Sequence, residues 1–322
     1  MRRRRTTLRA LVAGATLVVL AGCGYSATPV PEAVVPEPAA PATSTPCTDA
    51  GNATRSYQPA AGGVPAPGDL PSGSTMAEIR KRGHLVAGVS GDSYLLASRN
   101  PFSGVIEGFD IDMVNQIAAA IFGTAQGHVQ LRVISAADRI PLLQSGEIDV
   151  VARNMTINCA RWDQIAFSAE YFHSGQKILV QKGSGITQVA DLSGKRACAP
   201  AGTTSLDQIQ KIAPDAIPVT AGNHTGCLLK FQNGETDAIT GDDTVLAGLA
   251  AQDPYAVVVT GEALTDEPYG IGVNADNVDL VRFINGVLER MRADGSWQAS
   301  YDKWLRPSLK VDATQPTPVY GR

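Results

Sequence analysis

The chain has little of what most catalytic sites require. Its four histidines, His84, His128, His173 and His224, stand far apart among 322 residues. There is no His-Glu-x-x-His run, no Gly-x-Ser-x-Gly elbow, no phosphate-cradling glycine loop and no Cys-x-x-Cys pair, so no familiar catalytic or metal constellation is present. Basic charge is also short: 27 Lys and Arg face 31 Asp and Glu, for a net charge of −4, which argues against nucleic acid as a partner. No apolar run approaches the ~20 residues that a membrane-spanning helix needs. What the chain does have is enough apolar content, 44%, to bury a core in each of two domains of ordinary size.

The front of the chain is organised differently from the rest. Arg2, Arg3, Arg4, Arg5 and Arg9 precede an apolar run from Ala10 to Leu20, an order expected of an export signal that is removed. The run ends in Leu20-Ala21-Gly22-Cys23, which resembles the lipobox of bacterial lipoproteins, and the resemblance implies a diacylglycerol on the Cys23 thiol and cleavage just before it. Residues 1–22 hold five arginines and no acids, so their removal moves the net charge from −4 to −9. Lipid on Cys23 would then be the only membrane attachment, at the extracytoplasmic face of the cell membrane. Residues 23–75 carry half of the 20 prolines among Ala, Gly, Ser and Thr, with no helical or strand period, and read as a disordered tether.

From His84 onward, short apolar runs alternate with helical periods, which predicts an α/β fold with a largely parallel sheet. Leu85 to Val89 reads as a strand. A helix follows with Asp110 as N-cap and Val114, Ile117, Ala118 and Ile121 on one face, stopped by Gly123. Further strands are expected at Val129 to Val133, Ile148 to Val151, Arg196 to Ala199 and Asp237 to Thr240. Thr204 and Asp207 have capping-box spacing for a helix, and Val281 to Arg292 reads as an amphipathic helix.

Polar groups fall at the ends of these strands, where open α/β sheets bind ligands. Arg161, in Asn154-Met155-Thr156-Ile157-Asn158-Cys159-Ala160-Arg161, offers a fork of donors that fits a carboxylate. Gly202-Thr203-Thr204 places backbone N–H groups at a helix N-terminus, which suits an anion. Asp242 stands at a strand end. An arginine, an anion nest and a carboxylate together complement a zwitterion.

At these residues the chain resembles the family 3 extracellular solute-binding proteins, the polar amino acid receptors of ABC importers. The resemblance runs from about His84 to Leu305. It is carried by Glu107-Gly108-Phe109-Asp110-Ile111-Asp112, by Arg139-Ile140-Pro141-Leu142-Leu143-Gln144-Ser145-Gly146-Glu147-Ile148-Asp149, and by Asn154 to Arg161 with Phe167-Ser168. Gly202-Thr203-Thr204, Gly234 to Ala238, Glu267-Pro268-Tyr269-Gly270, Asp294-Gly295-Ser296 and Lys303-Trp304-Leu305 continue it in the family's order.

The resemblance implies a type II periplasmic-binding-protein clamshell, each lobe a central sheet flanked by helices, joined by two crossovers. Residues 76–176 with 273–310 would form lobe 1, 177–272 lobe 2, and 311–322 a C-terminal tail. By position in the motifs, Arg161 matches the clamp on the ligand α-carboxylate, Thr156 its hydroxyl and N–H partner, and Asn154 a backbone carbonyl for the α-ammonium. Asn154 departs from the glycine common there. Thr203 and Thr204 match the second-lobe carboxylate donors, and Asp242 the acid that pairs with the ammonium. With Cys23 lipidated, Cys47, Cys159, Cys198 and Cys227 remain, an even number in an oxidising compartment, with three possible pairings. Similarity to glutamate-binding relatives favours Cys198 with Cys227, which leaves Cys47 with Cys159.

The implied function is capture of a polar amino acid by a monomer and delivery to an ABC permease, with no catalysis, cofactor or metal. A chain near −9 repels anions at long range, so a preference for aspartate or glutamate, ahead of asparagine or glutamine, must come from arginines in the cleft. Arg139, which heads a motif resembling that of acidic amino acid receptors, and Arg99, in the loop after the first strand, are the candidates for the distal group. A sensory subunit docking on a membrane receptor uses the same fold and stays open as an alternative. A dehydratase-like enzyme would need a general acid over the ligand, and no unassigned Glu sits at a matched position.

Overall fold

A computed structural model describes residues 53–322. The export signal, Cys23 and the tether as far as residue 52 lie outside the described residues.

Two sheets organise the protein. In the first, Leu85–Val89 lies between Val129–Val133 and Val150–Val151, parallel to both, and Gly272–Val273 and Ala166–Phe167 extend the sheet antiparallel. In the second, Arg196–Pro200 pairs in parallel with Ile217–Ala221 and Ala238–Asp242, and the ten-residue strand Phe172–Gln181 runs antiparallel to Ala238–Asp242, Ala256–Val258 and Asp266–Tyr269. The chain leaves the first sheet after Phe167, enters the second at Phe172, a few residues ahead of the expected 176, and returns between Tyr269 and Gly272. These are the two crossovers of a two-lobe α/β clamshell.

The helices form where the apolar spacing predicts, with shifted caps. Phe109–Phe122 buries Val114, Ile117, Ala118 and Ile121 and ends at Gly123 in the left-handed region. Its N-cap is Gly108 and not Asp110. Gly108 has φ 144°, and a Cβ there would lie 2.3 Å from the Leu96 carbonyl oxygen, so only glycine lets the backbone pass. The amides of Phe109 and Asp110 then donate to Leu95 and Leu96, which leaves the Asp110 carboxylate free for other partners. Similarly, Thr203 caps Thr204–Ile212, one residue earlier than the capping-box spacing suggests, accepting from the Leu206 amide.

Lobe 1 is the larger core. Val278–Asp294 sets Leu280, Val281, Ile284, Val287, Leu288 and Met291 inward, each worth about 1.5–3 kcal/mol of apolar burial. Trp297 stacks on Tyr301 at 5.4 Å and meets Phe109 edge-on at 5.8 Å. Lobe 2 is pinned by the Cys198–Cys227 disulfide, which joins the strand Arg196–Pro200 to the helix His224–Gln232. Cys159 is disulfide-bonded as well, and its expected partner Cys47 lies outside the described residues.

One expectation fails from residue 53 onward. The segment read as tether up to residue 75 is packed on lobe 1: Ser56 is fully buried and donates to the Phe167 carbonyl, and Asn285 donates to Ser56 Oγ and to the Tyr57 carbonyl. Tyr57 meets Trp162 edge-on, and the Trp162 indole donates to the Ala53 carbonyl. The C-terminal residues close over it, with the Gly321 and Arg322 amides on the Ser56 carbonyl and the Arg322 guanidinium 3.9 Å from the Trp162 ring. Proline-rich composition argues against long regular elements but not against packing: the segment forms only a short 3-10 turn at Pro67–Asp69 and an isolated bridge between Ser56 and Tyr320, and side-chain and tail hydrogen bonds hold it to lobe 1.

Candidate functional site

The lobe 1 wall is the segment that follows Val150–Val151. Asn154 has φ 37°, a left-handed conformation that asparagine tolerates and glycine prefers. Its amide donates to Asp110 Oδ2 at 3.0 Å, and Tyr171 donates to Asp110 Oδ1 at 2.7 Å. Complete burial pushes Asp110 up to about 6 even so. The chain then runs beside the second crossover, with the Ile157 amide on the Pro268 carbonyl and the Gly270 amide on the Met155 carbonyl. That pairing sets Thr156 beside Glu267. The Asn158 side chain caps Cys159–Trp162 by accepting from the Arg161 amide, and the Arg161 guanidinium turns inward to donate to the Thr156 carbonyl at 2.6 Å.

Arg161 is 8% exposed and makes no ion pair among the described residues. Burial lowers its pKa, opposed by the charges of Glu267 and Asp242. A buried fork of donors that keeps its charge and lacks a carboxylate is suited to bind one.

The lobe 2 wall supplies Thr203, Thr204 and Asp242. The Thr203 hydroxyl donates to the Pro200 carbonyl while it caps its helix, so toward an anion it offers only its backbone N–H. The Thr204 hydroxyl donates to Glu267 Oε2 at 2.7 Å. Asp242 ends the strand Ala238–Asp242; Tyr269 donates to its Oδ2 at 2.7 Å and the Asn154 amide group reaches the same oxygen at 3.5 Å. Its Oδ1 is buried with no partner. Burial first, and then the nearby Glu267 charge, push Asp242 up to about 7.

Behind these groups lie more buried charges. Arg139 gives Nε to the Ala136 carbonyl, one terminal nitrogen to Arg153 and the other, across the lobes, to the Gly202 carbonyl at 3.0 Å. Gly202 has φ 72°, and a Cβ on it would sit 2.9 Å from Ala137 Cα, so this contact between lobes depends on glycine. Arg153, 5% exposed, donates Nε to the Ile134 carbonyl, with Asp92, Asp110 and Asp138 as its nearest opposing charges. Burial and the mutual repulsion of Arg139 with Arg161 and Arg153 drive the Arg139 pKa well down. His224 is also buried, pushed down to about 3 by burial and by Arg153, so it is a neutral imidazole at physiological pH, and its Nε2 has no partner. A Cβ on Gly241 would be 2.5 Å from that nitrogen, so glycine makes the room. Among the described residues no cluster of His, Cys, Asp and Glu is suited to a metal ion.

The family model described as bacterial extracellular solute-binding proteins, family 3, matches residues 85–307. The chain belongs to that family.

Among its relatives, the ABC transporter glutamine-binding protein GlnH of Bacillus subtilis is 38% identical over 233 residues, covering 72% of this chain and 85% of GlnH. The glutamate-binding protein GluB of Corynebacterium efficiens is 31% identical over 256 residues, covering 76% and 85%. A mutant of ArgBP from T. maritima has a similar structure, with a TM-score of 0.66 at 32% identity over 71% of this chain and 98% of that one.

In this solute-binding protein the structure brings together Asn154, Thr156, Arg161, Thr203, Thr204, Asp242 and Arg139. Arg99 is exposed, donates to the Gly104 carbonyl, and shares with Arg153, Asp92 and Asn223 an open cavity of about 590 Å³. Sequence reasoning missed Arg153, His224 and Glu267. Arg153 directly precedes Asn154 and could have been read as one more strand-end polar group. Glu267 sits inside a quoted motif, an acid before Pro-Tyr-Gly and an apolar stretch, and its burial at 1% was the signal's missing half.

Proposed function

We propose that this chain captures one polar amino acid between its lobes, aspartate or glutamate ahead of asparagine or glutamine, and delivers it to an ABC importer from the extracytoplasmic face, held there by lipid on Cys23. The observation that carries the reading is the pairing of opposite needs in one buried place. Arg161 has donors and no carboxylate, and Asp242 has one buried oxygen, Oδ1, that no donor reaches. An α-amino acid supplies both missing groups at adjacent atoms. Arg153 and the remaining donors of Arg139 favour a distal carboxylate or amide and disfavour a cationic side chain. That GlnH is a glutamine-binding protein and GluB a glutamate-binding protein supports the same ligand class.

The reading is tested in cells that lack the chain. Uptake of labelled glutamate and glutamine should drop and be restored by the intact gene, whereas a Cys23→Ser chain should leave the membrane fraction. Unchanged uptake would favour the sensory alternative over import. Full retention of Cys23→Ser on membranes would remove the lipid anchor.

A further inference from the structure

Glu267 has no assigned role in the reading above, yet it is the most completely engaged acid in the cleft. Its Oε2 accepts from the Thr156 hydroxyl at 2.5 Å and from the Thr204 hydroxyl at 2.7 Å, and its Oε1 accepts from the Thr265 hydroxyl at 2.7 Å. Thr156 belongs to the lobe 1 wall and Thr204 to the lobe 2 wall, so one carboxylate joins both halves of the site. Glu267 itself rides on Asp266–Tyr269, the strand that enters the second crossover and pairs with Phe172–Gln181. The strand pairing and three hydroxyl donors hold it in place.

The geometry fixes where the hydroxyl protons are. A carboxylate only accepts, and hydroxyl bonds to it at 2.5–2.7 Å are of the short, charge-assisted kind. The two threonine oxygens are 3.3 Å apart, a much poorer contact, so each gives its single proton to Glu267 and not to the other. Each hydroxyl is left with lone pairs alone. Neither can donate to a ligand carboxylate, and both can accept from a ligand N–H. Arg161 and the first-turn N–H groups at Thr203 and Thr204 remain as the donors of the site.

From this juxtaposition we infer that Glu267 is a specificity-determining residue: by holding the protons of Thr156 and Thr204 it turns both hydroxyls into acceptors, so the site favours the three N–H donors of an amino acid's α-ammonium over the single O–H of a 2-hydroxy acid and over a 2-oxo acid, which has none. The inference rests on the amino-acid reading of the cleft and adds to it. It also changes the roles of Thr156 and Thr204, which serve an anion through their backbone N–H groups only.

The experiment is calorimetry on the full mature chain, freed of carried-over ligand, with L-glutamate and L-glutamine against their L-2-hydroxy counterparts. Wild type should prefer the amino acids. In Glu267→Gln the amide group can donate to one threonine oxygen and free its proton, so the amino-acid affinity should fall about 10-fold or more, as for loss of a charge-assisted bond, while the hydroxy-acid affinity holds or rises. Thr204→Val, which removes one of the two acceptors without touching Glu267, should shift the same ratio in the same direction by less. Equal losses for both ligand classes in the two variants would make Glu267 merely structural and overturn the inference. Wild type that binds neither amino acid would overturn the reading of the cleft itself.

Discussion

Binding should release a proton from Asp242, and the size of that release follows from where the carboxylate sits. Burial and the Glu267 charge hold Asp242 at about 7, so at pH 6 roughly nine sites in ten carry the proton. A ligand ammonium against the unpartnered Oδ1 favours the ionised form. Pairing that returns the group to its ordinary 3.8 couples pH to affinity by ~4 kcal/mol. Affinity for L-glutamine, whose side chain does not titrate, should therefore rise about tenfold from pH 5 to pH 6 and level off above 7. Calorimetry at pH 6 in two buffers of different ionisation enthalpy counts the protons directly: ~0.9 released at pH 6, ~0.1 at pH 8, and none in Asp242→Asn. The same shift bears on the free protein. The folded value lies above the unfolded one, so the stability Asp242 lends is complete below about pH 4 and is lost as the pH rises through about 7. Binding at pH 6 with no proton release, or with the same release in Asp242→Asn, would refute this account of the acid.

Arg161→Ala should weaken every amino acid ligand by about 3–5 kcal/mol, since it removes the carboxylate fork and leaves a buried ligand charge unpaired, with little change in thermal unfolding of the free protein. Arg153→Ala should cost an acidic ligand about 2–5 kcal/mol and its amide much less, read as the glutamate-to-glutamine affinity ratio; equal losses would place Arg153 outside the distal site. Arg139→Ala should weaken both ligands, because one of its three hydrogen bonds to main-chain carbonyls ties the lobes, and the acidic ligand more than its amide, because its remaining donors are lost as well. Ser56→Ala should lower the midpoint of thermal unfolding by a few degrees, for loss of ~1–3 kcal/mol of buried hydrogen bonding, and leave ligand affinity unchanged.

How much of this was legible in the sequence differs from residue to residue. Arg161, Asp242 and the Thr203-Thr204 turn stand at strand ends, and strand ends follow from apolar runs that a linear pattern shows. The helix Phe109–Phe122 was equally plain, because its apolar residues recur on one face and Gly123 stops it. Asp110 looked like a cap because acids usually cap helices, but the Leu95 and Leu96 carbonyls took the helix amides and sent its carboxylate inward to Tyr171 and Asn154. Phe172–Gln181, the strand that bridges both crossovers, mixes His, Gln and Lys with apolar residues and shows neither alternation nor a continuous run. Arg153, His224 and Glu267 are charged or polar groups whose burial is created by elements distant in sequence, and no local pattern reports it. Residues 53–75 were misread for the opposite reason: their composition lacks a period, while their order comes from Phe167, Asn285 and the C-terminal residues, more than 100 positions away.

The central claim is that the cleft is built for a zwitterion with a polar, non-cationic side chain. Its most direct test is calorimetry of protein unfolded, stripped of carried-over ligand and refolded, titrated with aspartate, glutamate, asparagine, glutamine, arginine and histidine. Aspartate or glutamate should bind most tightly and their amides next; arginine or histidine binding best would contradict the account.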